Sequence, residues 1–325
     1  MSEMISLCEV KDILIKNDDF VVFCHANADA DTIGSGGALV EILRCIGKKA
    51  VAFCPDGVPE RINYLTDLGD FASGLTKDDM AGKCLVSVDI ASYAMLGSFE
   101  QYFINGELSF ALSIDHHEIN SLLTEKKCVF ANYISNGEII YELAKEMNVP
   151  INRSMATLLF SAICSDSGGF KYQNTRPETY EYAAQLIRAG ADFNEIFKQL
   201  FERKTKAQFI LEKKAYENLT FHYGGKLCIL YITKEAIESS GADSSDIDSL
   251  NQIPRLFAGV EVSAVIKPNK EEGIKVSLRS NDFFDVAALA KKYGGGGHIH
   301  AAAFRYKCTE QEAKEMLIKE LEAKL

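Results

Sequence analysis

Histidine and aspartate residues follow an apolar segment near the start of the chain, in the sequence FVVFCHANADADTIGS at positions 20–35. His25 closes the apolar run, and Asp29 and Asp31 follow it in a predicted loop before a helix. Two carboxylates one residue apart, beside a histidine, repel each other strongly unless a cation lies between them. One aspartate would be enough to cap the helix. The spacing therefore favours a metal site over a helix cap.

Two further predicted strands end in residues of the same chemistry. The segment CLVSVD ends at Asp89, and the segment SIDHH ends with Asp115, His116 and His117. In a parallel α/β sheet, the carboxyl ends of the strands form the ligand crevice. Asp89 by itself is as typical of a turn as of a ligand, but two adjacent histidines behind an aspartate indicate a binding site.

Asp166 comes directly after the predicted helix Asn152–Ser165 and shortly before two glycines. A carboxylate is unfavourable at this place because the C-terminal end of a helix already carries partial negative charge. A bound metal ion would offset the repulsion, whereas the plainer interpretation is an aspartate in a turn.

A run of four glycines in YGGGGHIHAAAF, at positions 293–304, forms the last motif. Glycine lets backbone N–H groups approach an anion closely, and His298 follows the run directly. Arg279, near the end of a predicted strand, can hold a phosphate through two parallel hydrogen bonds. These residues predict an anion-binding site, although the glycine run alone is also typical of a flexible turn.

The elements that must position these residues alternate between strand and helix in the first half of the chain, which predicts an α/β fold. The strands predicted there are Phe20–His25, Lys49–Cys54, Cys84–Asp89, Leu108–Asp115 and Val129–Ala131. The helices predicted there are Met4–Asn17, Gly34–Ile46, Gly137–Met147, Asn152–Ser165 and Pro177–Ala189. A Lys- and Glu-rich stretch from Phe193 to Phe221 then predicts a semi-rigid helical connector.

The second half of the chain begins a new set of elements. Its predicted strands are Lys226–Ile232, Gly259–Lys267 and Gly273–Ser280, and its predicted helices are Asp285–Tyr293 and Glu310–Ala323. We therefore predict a doubly wound, mainly parallel N-terminal sheet in a catalytic domain at residues 1–192. A helical linker at 193–222 and a smaller C-terminal α/β domain with a mixed sheet at 223–325 would follow.

Composition restricts the partners and the compartment. The 325 residues suit two domains, and a net charge of -11 excludes a general basic surface for long nucleic acid. Metal ions can still supply positive charge locally, which restricts a phosphate substrate to something short. The N-terminus lacks the pattern of a signal peptide, and no apolar run approaches the ~20 residues of a membrane helix. Nine scattered cysteines fit reduced thiols, so we expect a cytoplasmic protein.

With these residues in this order, the chain resembles the DHH phosphoesterase family. More narrowly, it resembles the nanoRNase type, which joins a DHH domain to a DHH-associated C-terminal domain with the active site in the interdomain cleft. The matching motifs are His25-x-x-x-Asp29-x-Asp31 with Gly34 and Ser35, then Asp89, then Asp115-His116-His117, then Asp166, and then the glycine run with His298.

The resemblance implies a role for each of these residues. One metal ion would be held by His25, Asp29 and Asp89, and the other by Asp31, Asp89, His116 and Asp166. Asp115 would support His116, and His117 would face the phosphate, which makes Asp115 and His117 the catalytic pair. Substrate contacts would come from His117, Arg279, Ser280, Gly296, Gly297 and His298. Oxygen and imidazole ligands without thiolate favour manganese, with magnesium, cobalt or zinc as alternatives.

The implied activity is hydrolysis of short oligonucleotides to nucleoside 5′-monophosphates, with phosphatase activity on 3′-phosphoadenosine 5′-phosphate as a second reaction. Cleavage of a cyclic or linear dinucleotide is the enzymatic alternative, and a nucleotide-binding regulatory protein is the alternative without catalysis. Relatives usually continue the glycine motif with a basic or amide residue and an Ala-Gly pair, whereas this chain has Ile299 and three alanines. The sequence leaves fine substrate preference and a homodimer open.

Overall fold

The computed structural model describes residues 2–269, 273–322 and 324–325. Its backbone separates into two compact units, Met1–Arg203 and Lys204–Leu325. Each unit contains its own sheet and its own buried apolar clusters. The domain limits predicted from the sequence stay predictions.

The first unit contains a seven-stranded sheet in which every pairing is parallel. Its strands are β1 (Glu3–Met4), β2 (Phe20–Phe23), β3 (Ala50–Phe53), β4 (Phe71–Ala72), β5 (Cys84–Val88), β6 (Leu112–Asp115) and β7 (Lys126–Val129). They lie in the order β1-β7-β6-β5-β2-β3-β4. The central strands β2 and β5 are mostly apolar and almost entirely buried, because both faces of the sheet are covered.

The chain order reverses between β2 and β5. From β2 the chain proceeds outward to β3 and β4, and it then returns to the other side of β2 with β5, β6 and β7. Such a reversal opens a crevice beyond the carboxyl ends of the two strands. The motif residues that follow β2 and β5 must therefore lie beside each other at this switch point.

Helices cover one face of this sheet, and shorter helical turns cover much of the other. The α-helices of the first unit are α1 (Leu7–Lys16), α2 (Ala30–Cys45), α3 (Glu100–Ile104), α4 (Asn136–Glu146), α5 (Arg153–Asp166), α6 (Pro177–Arg188) and α7 (Phe193–Phe197). The larger buried cluster includes Val22 and lies on the face packed by α2, α4 and α5. Phe23, the next residue, belongs to the opposite cluster with Phe53, Phe103 and Phe110, because side chains alternate along a strand.

The second unit contains a mixed six-stranded sheet in the order β12-β13-β11-β10-β9-β8. Its strands are β8 (Leu219–His222), β9 (Leu227–Tyr231), β10 (Val262–Pro268), β11 (Ile274–Ser280), β12 (Gly296–His298) and β13 (Ala301–Tyr306). Only the β9–β10 pair is parallel among its described pairings. Its α-helices are α8 (Lys206–Glu217), α9 (Lys234–Ser240), α10 (Ser244–Ser249), α11 (Val286–Lys292) and α12 (Glu310–Leu321).

The structure confirms the predicted fold class and differs from the sequence in several element limits. The helix predicted from Gly34 begins four residues earlier, at Ala30, because Asp29 caps it. The stretch predicted as helical up to Phe221 contains α7, a π-helical turn at Lys198–Glu202 and α8, and it ends in β8. Strands β12 and β13 were not predicted, because glycine and alanine carry little strand signal. Within the described ranges, every helix is too short or too polar to cross a lipid bilayer.

Candidate metal centre

His25 lies just beyond the carboxyl end of β2, and its ring is oriented by the backbone. Its Nδ1 atom lies 2.8 Å from the carbonyl oxygen of Ala26. A proton on Nδ1 therefore donates to that carbonyl and leaves the lone pair of Nε2 for a metal ion. Nε2 lies 3.6 Å from Asp29 Oδ1 and 3.5 Å from Asp89 Oδ2.

Asp29 both caps α2 and belongs to the cluster, two roles that the sequence analysis treated as alternatives. Its Oδ1 atom accepts hydrogen bonds from the backbone N–H groups of Asp31 (3.0 Å) and Thr32 (3.1 Å), which caps α2. The same side chain faces His25 across 3.6 Å. Capping and participation in the cluster are therefore compatible, because a carboxylate offers several lone pairs.

Asp31 is fully buried in the first turn of α2. Its carboxylate accepts hydrogen bonds from Ser35 Oγ (3.1 Å) and from the backbone N–H groups of Asn136 (2.7 Å) and Gly137 (2.9 Å). The two N–H groups belong to the first turn of α4, where the helix dipole favours negative charge. Asp31 is thus fixed by a segment more than a hundred positions along the chain.

Asp89 connects the two histidines of the cluster. Its Oδ2 atom lies 3.5 Å from His25 Nε2, while its Oδ1 atom lies 3.4 Å from His116 Nε2. The side chain is almost fully buried, and the residue has a positive φ of 58°. This backbone conformation is uncommon outside glycine and is often retained at functional sites.

His116 and Asp166 complete the cluster on the other side of Asp89. His116 Nε2 lies 3.6 Å from Asp31 Oδ2 and 3.6 Å from Asp166 Oδ2. Its Nδ1 atom lies 3.3 Å from the carbonyl oxygen of Tyr133, which favours a tautomer with Nε2 facing the carboxylates. Asp166 is the last residue of α5, one residue beyond the predicted helix end at Ser165.

These distances fit a shared metal ion better than direct hydrogen bonds. The clustered nitrogen and oxygen atoms lie 3.4–3.6 Å apart, which exceeds the about 2.9 Å of a direct N–H···O bond and leaves room for an ion between them. The ligand atoms group as His25, Asp29 and Asp89 on one side and as Asp31, His116 and Asp166 on the other. The residues present therefore fit a metal centre, and the carboxylate of Asp89 reaches both groups.

His117 is held by Asp115. The Nδ1 atom of His117 lies 2.8 Å from Asp115 Oδ1 and 3.6 Å from Asp89 Oδ1. Asp89, His116 and His117 also form a geometrically acceptable ligand group. Because Asp115 occupies the Nδ1 position at hydrogen-bonding distance, the contact orients the ring and competes with metal ligation through that atom.

Two models of known domains match this chain. The DHH family N-terminal domain matches residues 19–163, which carry five of the six clustered residues, and the DHHA1 domain matches residues 224–325. The chain therefore contains a DHH domain followed by a DHHA1 domain, the pair that the sequence predicted.

Several named relatives match most of the length of this chain. It is 28% identical over 278 residues to the bifunctional oligoribonuclease and PAP phosphatase NrnA of Thermus thermophilus, with 86% of this chain and 81% of that protein covered. The protein of the same name from Bacillus subtilis is 27% identical over 285 residues, with 86% and 87% covered. The structure of an exopolyphosphatase-related protein from Bacteroides fragilis matches with a TM-score of 0.87 at 20% identity, covering 98% of this chain and 96% of that one. These likenesses confirm the predicted family and fold.

The predicted anion-binding residues lie in the DHHA1 part of the chain, within the second unit. Arg279 in β11 and His298 in β12 both pair with Ala301 of β13, so their side chains share one row and one face of the sheet. Ser280 is buried, and its hydroxyl lies 2.9 Å from His300 Nδ1. His300 was not assigned a role from the sequence.

The glycine run has a packing role that the sequence did not reveal. Gly296 and Gly297 are exposed in the edge strand β12. A Cβ atom on Gly295 or Gly297 would overlap the backbone of β13, and Gly297 has a φ of 144°. Glycine is therefore needed for the close pairing of these strands, whether or not an anion binds there.

The clustered side chains shift one another's pKa values, because charge is concentrated where water is excluded. Burial and the nearby charge of Asp89 raise the pKa of Asp31 to about 7, and burial with the charge of Asp31 raises the pKa of Asp166 well above its usual value. Burial acts to lower the pKa values of His25 and His116, but the surrounding aspartates raise both well above the ordinary range. Without bound metal, protons take part of the role of a cation.

Sequence reasoning missed the residues that anchor this cluster. Asn136 and Gly137 bind Asp31, and Asn120 binds Asp115. Ser135 caps α4 by accepting from the N–H of Glu138, so the S-x-x-E pattern could have located the helix start. No sequence pattern could have shown that this helix start meets Asp31.

Proposed function

We propose that this DHH-family phosphoesterase hydrolyses short oligonucleotides to nucleoside 5′-monophosphates, using two divalent metal ions held by His25, Asp29, Asp31, Asp89, His116 and Asp166. The observation that carries the proposal is the position of the Asp89 carboxylate. One oxygen lies 3.5 Å from His25 and the other lies 3.4 Å from His116, so a single side chain serves both ligand groups. A single structural ion would not require the two oxygens of one carboxylate to face different histidines.

We assign manganese to both positions. The donors are carboxylate oxygens and imidazole nitrogens, a combination that suits manganese better than a metal preferring thiolate. Cys24 is adjacent to His25, but burial raises the pKa of its thiol well above the usual value, and the Cys24 Sγ–H donates to the Thr32 carbonyl. Magnesium, cobalt and zinc are the competing ions to be compared in the assay.

The reaction needs a substrate phosphate oriented for in-line displacement. A bound pair of metal ions supplies positive charge to the attacking and departing oxygens of such a displacement. Asp115 holds Nδ1 of His117 at 2.8 Å and so fixes the plane of the imidazole. Burial acts to lower the pKa of His117, but Asp115 and Asp89 raise it above its usual value, which favours the protonated ring. We assign the N–H of Nε2 as a hydrogen-bond donor to a phosphoryl oxygen.

Three observations support a short nucleotide as the substrate. The net charge of -11 disfavours long nucleic acid, and relatives that match most of this chain are named as oligoribonucleases and PAP phosphatases. Arg279 and His298 share one face of the second sheet, which suits an anionic group. We assign substrate contacts to Arg279, Ser280, Gly296, Gly297 and His298, and hydrolysis of 3′-phosphoadenosine 5′-phosphate to the same site.

The test is hydrolysis of a dinucleotide by the wild type, by Asp89→Asn and by a matched control. Asp89→Asn keeps the size of the side chain but removes its charge, and we expect turnover with manganese to fall at least about 100-fold. Asp12→Asn removes an exposed carboxylate of α1 and should leave turnover unchanged. Calorimetric titration should show two manganese ions per wild-type chain and fewer in Asp89→Asn.

A substrate panel tests the chemistry more finely. Dinucleotides should be hydrolysed faster than long oligonucleotides, and both faster than pyrophosphate. Wild-type turnover in Asp89→Asn would remove the two-metal assignment. Tight nucleotide binding without hydrolysis under any of the four metal ions would instead favour a regulatory protein.

A further inference from the structure

Asp115 is held on both of its carboxylate oxygens. Oδ1 accepts hydrogen bonds from His117 Nδ1 (2.8 Å) and from the backbone N–H of His116 (2.9 Å). Oδ2 accepts a hydrogen bond of 2.6 Å from the side-chain amide of Asn120. The carboxylate is fully buried, so water does not replace a lost partner easily. The rotation of this carboxylate, and with it the direction offered to His117, depends on Asn120.

The orientation of the Asn120 amide follows from its surroundings. Its Oδ1 atom accepts from the backbone N–H of Leu122 (3.0 Å), and its Nδ2 atom donates to Asp115 and to the carbonyl oxygen of Ile90 (3.2 Å). Rotating the amide by a half turn would place oxygen against two acceptors and nitrogen against a donor. Only one orientation satisfies the contacts.

The segment that carries Asn120 is itself fixed to the sheet. The buried Lys127 of β7 donates from Nζ to the Asn120 carbonyl oxygen at 3.2 Å. The backbone N–H groups of Ser121 and Leu122 donate to the carbonyl oxygen of Ala91. Asn120 is therefore a rigid connection between the strand end that carries Asp115 and the loop that directly follows Asp89.

We propose that Asn120 is a positioning residue that orients the imidazole of His117 through Asp115. The proposal rests on the proposed function, in which His117 contacts the substrate phosphate. An amide suits this place because it donates a hydrogen bond without adding positive charge, so the charge of Asp115 remains directed at His117. The described hydrogen bonds of the Asn120 side chain go to Ile90, Asp115 and Leu122, and none of these is a proposed metal ligand.

The test uses Asn120→Asp, which keeps the shape of the side chain and replaces the donor by an acceptor. We expect the kcat for manganese-dependent dinucleotide hydrolysis to fall about 10- to 100-fold, with a much smaller change in KM and in manganese affinity. In metal-free protein, the NMR signal of the His117 Nδ1 proton, identified by its loss in His117→Gln, should shift or disappear. Asn120→Ala, which removes the donor without adding repulsion, should change both readouts in the same direction.

Ser121→Ala is the matched control, because Ser121 lies in the same segment and its hydroxyl reaches the Ala91 carbonyl at 3.3 Å rather than Asp115. It should leave kcat and the His117 signal unchanged. An unshifted His117 signal in folded Asn120→Ala overturns the proposal, as does a loss of activity that only follows loss of metal or of thermal stability. If the wild type hydrolyses no dinucleotide, the proposed function fails, while the proton signal still decides the role of Asn120.

Discussion

Among the six clustered side chains, the carboxylate of Asp31 is the most deeply buried from solvent. It is fully buried close to Asp89, and its anchoring hydrogen bonds come from uncharged groups. Neutral donors compensate only part of the desolvation of a charge. The pKa of Asp31 is raised to about 7 and that of Asp166 is raised well above its usual value, so metal binding at the cluster would release protons.

This proton release predicts a pH-dependent stabilisation by metal. Burial and the charge of Asp89 raise the pKa of Asp31 from 3.8 to about 7. Its favourable contribution to the free energy of unfolding is therefore complete at low pH and is lost as the pH rises through about 7. The raised pKa values of His25 and His116 act with the same sign. We expect manganese to raise the melting temperature more at about pH 8 than at about pH 5.5.

Thermal unfolding with manganese and with a chelator, at both pH values, measures this difference. Burial acts to raise the pKa of Asp115, but the contacts with His117 and His116 lower it below its usual value. The stability that these contacts provide is lost only at more acidic pH. The same increment at both pH values would contradict the prediction. Asp31→Asn should reduce the pH dependence without abolishing it, because its raised carboxylate is gone while Asp166, His25 and His116 remain.

At the scale of elements, the cluster depends on close packing between α2 and α5. Gly34 faces Leu158 and Ala162 of α5, and Gly37 faces Leu158. The start of α2 and the end of α5 consequently meet at His116, which brings Asp31 and Asp166 together. The positive end of one helix dipole and the negative end of another thus lie at the same site.

Gly34→Ala tests this packing. The added Cβ would overlap the carbonyl oxygen of Leu158 and lie 3.0 Å from the Cβ of Ala162, so the two helices must separate. We expect a loss of about 1–3 kcal/mol in the free energy of unfolding and weaker manganese binding. Chemical denaturation and calorimetric titration measure the two effects.

Glu41→Ala provides the comparison, because Glu41 lies on the same helix and forms a weak 3.9 Å ion pair with Arg44. Its stability should change by less than about 0.5 kcal/mol, and manganese affinity should not change. Unaltered metal affinity in Gly34→Ala would show that helix spacing does not control the cluster.

At the scale of the whole molecule, the proposed metal ligands and most of the proposed substrate contacts lie in different units. All six proposed metal ligands lie in Met1–Arg203, which also contains two buried apolar clusters of its own. The residues assigned to the substrate anion, apart from His117, lie in Lys204–Leu325 with separate buried clusters. Each unit therefore has the apolar interior that an independently folding domain requires.

This division predicts the behaviour of a fragment that ends at Arg203. The fragment should fold, bind manganese within about tenfold of the full chain and hydrolyse dinucleotides poorly, because ligand atoms are retained and substrate contacts are lost. Circular dichroism, calorimetric titration and a turnover assay measure these properties. The same fragment with Asp89→Asn should fold without normal metal binding. Full dinucleotide turnover by the fragment would remove the substrate role of the second unit.

The sequence by itself determined the residue types of the candidate cluster and the strand ends that carry several of them. Apolar runs that end in His25, Asp89 and Asp115 predict parallel strands, and the carboxyl ends of such strands meet at one edge of a sheet. The family motifs then named the six clustered residues. Hydrophobic periodicity and local residue chemistry were sufficient, because each signal lies within a few positions along the chain.

Only the tertiary structure decided how these residues are held. It showed that the two oxygens of Asp89 face different histidines, that the start of α4 anchors Asp31, and that Asn120 holds Asp115. It also placed Gly297 in an edge strand rather than in a turn. Contacts of this kind arise from packing between segments that are distant in sequence, and local patterns do not encode the register or the side-chain rotamers that create them.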